Sequence, residues 1–432
     1  MTAEEMTETI PRLPAESGMK KSVHSILVIV AGVLLLGLLT AIYLNAGYMA
    51  DWVRHSTGLD YSIITVLQTA MLIVNLVTIP FCGALTLKFS GFKLFIFGYL
   101  LCIAGIFGMF LFSSVAGLII FYVLLFGFGS AIAGYAIVLS VVLPLISEKF
   151  AGIAAATLIS CGNCISLIFF PILQQFDSQN PGGQVFLILG VAGLCLLPLF
   201  FYIFSQKRKV TTASPAAAAA KKESVTLRSL AREIFTSRRF YLLCFLAVSL
   251  GIVCTEPNGI LLDCMEIYFG LSANTASLYL SLFSLVFVIS GIAMGYLVPK
   301  LKSKILYAAV CFLVIAAVFA LFLVDIPFIM WLVVVLILGF MFGAVSPTFS
   351  LMTREWTGPV KFAAVFSIIY LMMRLGGIFG IFLGGIEYAL TEELVITTLV
   401  TECILVVAAA AAVVAAVRET RRKKVDSSGP DT

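Results

Sequence analysis

Apolar residues along this chain come in long, nearly unbroken runs separated by short polar turns. Marking the runs against charged or Pro/Gly breaks gives twelve, at roughly 24–47, 60–83, 93–113, 116–146, 151–176, 182–204, 240–269, 275–299, 305–324, 327–351, 362–390 and 393–417. A hydrophobic stretch of about 20 residues spans a bilayer as an α-helix, and a longer run is accommodated by tilt or protrusion. No stretch alternates polar and apolar residues in the manner of a membrane strand, which excludes a β-barrel. The pattern predicts an all-α membrane protein with twelve transmembrane helices.

The runs divide six and six around residues 205–238, a basic, Ala-rich segment with no apolar run of its own. The expected organisation is a polar tail over 1–23, a six-helix bundle over 24–204, the linker over 205–238, a second six-helix bundle over 239–417 and a tail over 418–432. Within the linker, Val225–Phe235 has the composition of an amphipathic helix resting on the inner leaflet, where anionic headgroups would attract it. The halves echo each other weakly. Gly83-Ala-Leu-Thr-Leu-Lys88 follows the second run, and Gly295-Tyr-Leu-Val-Pro-Lys300 follows the eighth. Both read Gly-x-Leu-x-x-Lys, and a basic residue follows each turn, at Lys93 and at Lys304. Two pseudo-symmetric halves of parallel topology are expected from such a repeat.

Composition agrees: 61% of the 432 residues are hydrophobic and 11% charged, against about 25% charged in soluble domains. Charge sets the orientation. With the N-terminus inside, 25 of the 27 basic residues fall on inner segments, Arg54 alone falls outside, and Arg374 falls within the membrane. This bias predicts cytoplasmic termini and linker in the cell (inner or plasma) membrane. The net charge of +5 then reports topology and not nucleic-acid binding. The first 23 residues are polar and the first run lacks a cleavage pattern, so no signal peptide is expected. The two histidines sit at run ends, and neither a phosphate-binding loop nor a metal-ligand cluster occurs, so neither an enzyme, a cofactor nor a bound metal is expected. Cys161 and Cys164 form a Cys-x-x-Cys in an apolar run without a nearby His or acid, which fits packing better than redox chemistry.

Arg374 is the candidate that carries chemistry. It lies about a dozen residues from either end of its run, near the bilayer midplane, where a charge costs several kcal/mol and usually faces a bundle interior or a cavity. Tyr370 at i−4 and Ser367 at i−7 share its helical face, giving a guanidinium with hydroxyl neighbours. Such a fork is suited to a two-pronged grip on a carboxylate. The alternative is a buried ion pair that locks two helices. Gly376, Gly380 and Gly384 form a small-residue stripe expected to pack a neighbouring helix. The seventh run contains Glu256-Pro257-Asn258-Gly259, where a broken helix is expected. Glu256 is the first candidate for proton coupling, or else pairs with Arg374 or caps the helix break, and Glu402 in the last run is the second, or else a partner for Arg374. In the first half the polar candidates are uncharged: Asn45, Tyr48, Gln68, Asn75, Tyr135 and Asn163. Each serves substrate contact or an interhelical hydrogen bond.

Twelve runs, a basic central loop and the Gly-x-Leu-x-x-Lys turns resemble the major facilitator superfamily. The family's turn carries an Asp where this chain has Leu87 and, in the second copy, Pro299. The resemblance implies a conformational gate at Gly83, Lys88, Gly295 and Lys300. The stretch from Gly339-Phe-Met-Phe-Gly343 through Glu355-Trp-Thr-Gly358 to Phe366-Ser-Ile-Ile-Tyr370-Leu-Met-Met-Arg374-Leu-Gly376 is similar to the oxalate/formate and monocarboxylate porters, in which the eleventh helix carries a basic residue that attracts carboxylate. Those porters commonly place a second Arg in the eighth helix, whereas Thr275–Pro299 here carries no acid and no basic residue before Lys300. The resemblance implies a secondary active transporter of a small organic anion, a singly charged monocarboxylate foremost, by alternating access with proton symport or anion exchange. Expected partners are that substrate, protons or a counter-anion, and membrane lipid, for a monomer with no nucleic acid. Substrate contacts fall to Arg374, Tyr370, Ser367, Asn45, Tyr48, Tyr135 and Gln68. Two alternatives stay open: efflux of hydrophobic or cationic compounds, with Arg374 structural, and a transporter-like receptor or scaffold that does not transport.

Overall fold

The computed structural model describes residues 18–44, 46–146, 148–180, 182–211, 227–267, 269–271, 273–324, 326–391 and 395–427, and among these no strand occurs. The helices are α1 (Gly18–Leu44), α2 (Ala46–Thr57), α3 (Tyr61–Leu85), α4 (Gly91–Leu111) and α5 (Val115–Leu145). Then come α6 (Glu148–Gln179), α7 (Gln184–Thr211), α8 (Leu227–Thr236), α9 (Arg238–Ile267), α10 (Ala273–Leu297) and α11 (Lys304–Phe319). The continuous run Phe328–Thr391 is two helices, α12 and α13, meeting at Gly358, and α14 is Val395–Ser427. Each apolar run of the sequence coincides with one of these helices. Among the described residues, eight helices are long and apolar enough to cross a membrane, or nine if one bent pair counts as a single span.

The breaks follow glycine more than proline. Gly358 adopts φ 69°, a left-handed conformation that other residues enter only with strain, and Pro359 cannot continue the preceding helix. Span α5 widens to a π-helical turn over Ile119–Phe126 and then breaks, with Ala133 at ψ 12° and Gly134 extended at ψ 175°. Pro80 and Pro198, by contrast, lie inside α3 and α7. The break expected at Pro257 is absent: α9 is helical across it. Loss of one amide donor is tolerated in a membrane helix when neighbours compensate.

Small residues set the closest helix contacts. A methyl group added to Gly376 would sit 2.2 Å from the Val248 carbonyl oxygen, and one on Gly251 would sit 1.9 Å from that of Met373. The glycine stripe thus packs α13 against α9. Two contacts join the first half of the chain to the second at the end bearing the basic loops. A methyl on Gly83 of α3 would lie 1.9 Å from Ser367 Oγ of α13, and one on Gly152 of α6 would lie 2.0 Å from the Gly295 carbonyl oxygen of α10.

The linker helix α8 is partly covered by protein. Leu230 and Ile234 are buried, and Phe235 packs edge-on to Phe240 at the start of α9. Two residues of that apolar face are therefore covered by protein. Lys361, just after the Gly358 break, pairs with Glu233 of α8 at 2.6 Å. Further ion pairs at this end join Lys304 to Glu355 at 2.7 Å and Arg239 to Glu419 at 3.8 Å.

Candidate functional site

The broken helix α5 and the start of α13's inner face open onto one cavity between the two halves. It holds about 530 Å³ of empty space, counting its open mouth. From α1 it receives Leu36, Leu39 and Thr40; from α3, Asn75, Ile79, Cys82 and Gly83; from α5, residues 130–131 and 133–137; from α13, Ser367, Tyr370 and Arg374. The helical period that aligned Ser367, Tyr370 and Arg374 in the sequence therefore brings all three to one wall.

Arg374 is held by its own helix. Its Nε donates to Tyr370 Oη at 3.0 Å, and the guanidinium carbon lies 5.3 Å from the centre of the Tyr370 ring. Fixing Nε turns a flexible side chain into a positioned fork, which retains more of its donor energy for a ligand. Tyr370 in turn meets Tyr135 of α5 at 5.5 Å in an edge-on contact, so the two halves touch through aromatic rings beside the charge. The half-helix Tyr135–Val142 begins at Gly134, and its first turn lines the cavity. The start of a helix carries partial positive charge. Two positive elements thus border the same space.

The opposite wall is neutral and hydrogen-bonded. Asn75 Nδ2 donates to Ser130 Oγ at 2.8 Å, and Ser130 Oγ donates to the Gly127 carbonyl at 3.1 Å. Thr40 Oγ1 donates back to the Leu36 carbonyl at 2.9 Å. Among the described lining residues there is no carboxylate. Thr40 and Ser130 did not stand out in the sequence. Each is one hydroxyl in a run of apolar residues, and only the meeting of α1, α3 and α5 gives them a common target.

Other expected site residues fall elsewhere. Gln68, two turns along α3 from Asn75, does not line the cavity. Asn45 lies outside the described residues, and so do the side chains of Tyr48, Asn163 and Glu256. Glu402 sits on α14, away from the cavity lining, with its Oε2 buried and lacking a hydrogen-bond partner. It forms no ion pair among the described residues, so it is not the partner of Arg374. Gly83 lies at the cavity floor against Ser367; Lys88 is exposed, and Lys300 rests on the Tyr296 ring at 3.4 Å. Two buried acids went unremarked in the sequence. Asp177 at the far end of α6 pairs with His55 of α2. Glu387 of α13 accepts the backbone amides of Ile396 and Thr397, the former at 2.6 Å, capping the start of α14. Both acids serve the far ends of helices, not the cavity.

The sequence profile of the Major Facilitator Superfamily matches residues 29–380 and 257–431. The chain belongs to the Major Facilitator Superfamily. No curated protein matches this facilitator. Among solved structures, a bacterial homologue of the iron transporter ferroportin, in an outward-facing state with soaked iron, superposes with a TM-score of 0.71 at 13% identity. The alignment covers 90% of this chain and 98% of that one. A second structure of a bacterial ferroportin homologue, also outward-facing, gives a TM-score of 0.68 at 15% identity with the same coverage. At such identities the likeness concerns the fold. The protein is a multi-pass membrane transporter by family.

Proposed function

We propose that this facilitator moves a small organic anion, a monocarboxylate foremost, by alternating access. The observation that carries the reading is Arg374, fixed by Tyr370 on the wall of a cavity that both halves build. A carboxylate leaving water for a low-dielectric cavity requires a compensating charge, and Arg374 together with the start of the Tyr135 half-helix supplies it. One fixed cation suits one carboxylate, which is why a dicarboxylate ranks lower. The similarity of the Gly339–Gly376 stretch to the oxalate/formate and monocarboxylate porters points the same way.

Alternation would proceed by rocking of the two halves, with the Gly83–Ser367 and Gly152–Gly295 contacts as the gate on the basic-loop side. Proton symport and anion exchange both fit this scheme. In the matched ferroportin homologue the soaked ion is iron. A metal cation in this chain's cavity would meet the Arg374 charge, which favours an anion. The test is uptake of radiolabelled acetate, propionate, malonate and, as a separate arm, ferrous iron into proteoliposomes of the purified protein. Saturable monocarboxylate uptake that Arg374→Gln abolishes supports the reading. Iron uptake without any carboxylate uptake would overturn it.

A further inference from the structure

A second cavity lies at the basic-loop end and is built by the second half alone. It opens between the starts of α9 and α11, the end of α12 and the last third of α14, with about 820 Å³ of empty space, counting its open mouth. It shares no lining residue with the Arg374 cavity. Three cations line it, Arg239, Lys302 and Lys304, together with the carboxylates of Glu355 and Glu419. Each carboxylate is tied to a cation on another helix, Glu355 to Lys304 at 2.7 Å and Glu419 to Arg239 at 3.8 Å. These are single contacts, whereas an ammonium has three N–H donors and a guanidinium five. Lys302 makes no ion pair among the described residues. The cations therefore carry more donor capacity than the two carboxylates use.

The same cavity is lined by Leu242, Leu243, Met352 and Trp356, a surface that a bare aqueous ion has no use for. Trp356 is half-buried and leans on Phe240 of α9, ring centres 6.5 Å apart. Around the charged residues the chain faces outward with apolar groups: Tyr241, Leu301 and Leu306 are all exposed, as suits contact with lipid at the membrane–water boundary. We propose that this cavity holds the headgroup of an anionic phospholipid from the leaflet on the basic-loop side. Its phosphate oxygens, which only accept, meet Arg239, Lys302 and Lys304, and its glycerol carbons meet Trp356 and the apolar lining. Basic pockets between membrane helices on this side collect such headgroups, and each cation near an anionic surface contributes about fivefold.

The test uses the full chain in phosphatidylcholine vesicles doped with phosphatidylglycerol brominated high on its acyl chains, a contact quencher of Trp emission. Brominated phosphatidylglycerol is expected to quench at several-fold lower lipid fraction than brominated phosphatidylcholine, and Trp356→Phe should remove that difference. Lys302→Gln should lower the preference about fivefold, Arg239→Gln with Lys302→Gln should bring it close to one, and Lys302→Arg should retain it. Lys302 is exposed, so its single variants fold even if the double variant does not. Lys93→Gln removes an exposed charge from the same end of the molecule, outside the cavity, and should leave the preference at the wild-type level. Equal quenching by the two lipids in wild type overturns the proposal. So does a preference that survives Trp356→Phe, or one that falls equally in Lys302→Gln and Lys93→Gln, since diffuse attraction would then account for it. Displacement of the brominated lipid by millimolar inorganic phosphate or glycerol phosphate would assign the cavity to a soluble phosphate compound and overturn the lipid.

Discussion

At the scale of the residue, Arg374 separates the two roles open to an intramembrane cation. If it binds substrate, Arg374→Gln should abolish anion uptake while the melting temperature stays close to wild type. Arg374→Lys keeps the charge but loses the planar fork and the Nε bond to Tyr370, so weakened binding with partial transport is expected. Tyr370→Phe removes only the acceptor of that bond, worth about 1 kcal/mol, and should weaken binding several-fold. Uptake retained in Arg374→Gln, or a large fall in its melting temperature, would assign Arg374 to structure instead. Much of this wall was legible beforehand, because the period of a helix is written in spacing: 367, 370 and 374 share a face in any α-helix. The facing wall was not. Of the two roles open to Asn75, it makes the interhelical hydrogen bond, with Ser130 of α5. That the same residue also fronts the cavity depends on which helices meet, and the sequence of α3 carries no sign of that.

At the scale of the element, apolar run length fixed the helices well, and the internal breaks less well. Gly358 was bracketed correctly because polar residues surround it. The α5 break at Ala133–Gly134 was not, since GSAIAGYA reads as uninterrupted apolar helix, while the helix carrying Pro257 continues. Proline removes one donor that neighbouring helices can offset, whereas the fully extended Gly134 actually interrupts the chain's turns. Glycine also sets close backbone contacts between the halves. Gly152→Ala puts a methyl about 2.0 Å from the Gly295 carbonyl oxygen, and backbone cannot rotate away as a side chain does. Overpacking of this kind costs about 1–3 kcal/mol. The variant should therefore disfavour the arrangement closed at the basic-loop end. With Cys82, buried at the cavity floor, kept as the sole cysteine, maleimide labelling from the basic-loop side should speed up several-fold. An unchanged labelling rate together with an unchanged melting temperature would show that this contact is not a gate.

At the scale of the whole molecule, orientation and coupling are the properties still to be fixed. Ion pairs with Glu233, Glu355 and Glu419 neutralise part of the basic end. The topology rule counts Lys and Arg more than net charge, so both termini and the 205–238 linker are expected in the cytoplasm. Single cysteines near 215 and 425 in a cysteine-free background should react only from inside, and labelling of either from outside would reverse the orientation. Coupling turns on the acids. A carboxyl that shuttles a proton must be shielded enough to favour its neutral form and still be reached as the halves alternate. Glu256 lies on α9, the helix that Gly376 and Gly251 pack directly against the Arg374-bearing α13. Glu402 lies on α14, clear of the cavity lining. If α13 moves on substrate binding, α9 is the helix packed directly against it. Glu256→Gln should abolish accumulation driven by a proton gradient yet preserve exchange of pre-loaded for external anion, because exchange returns the carrier without deprotonating that side chain. Glu402→Gln should leave both activities near wild type. If gradient-driven accumulation survives Glu256→Gln and disappears in Glu402→Gln, the proton travels by the α14 carboxyl. If it survives in both, neither acid carries the proton; if wild type shows none, the cycle is exchange.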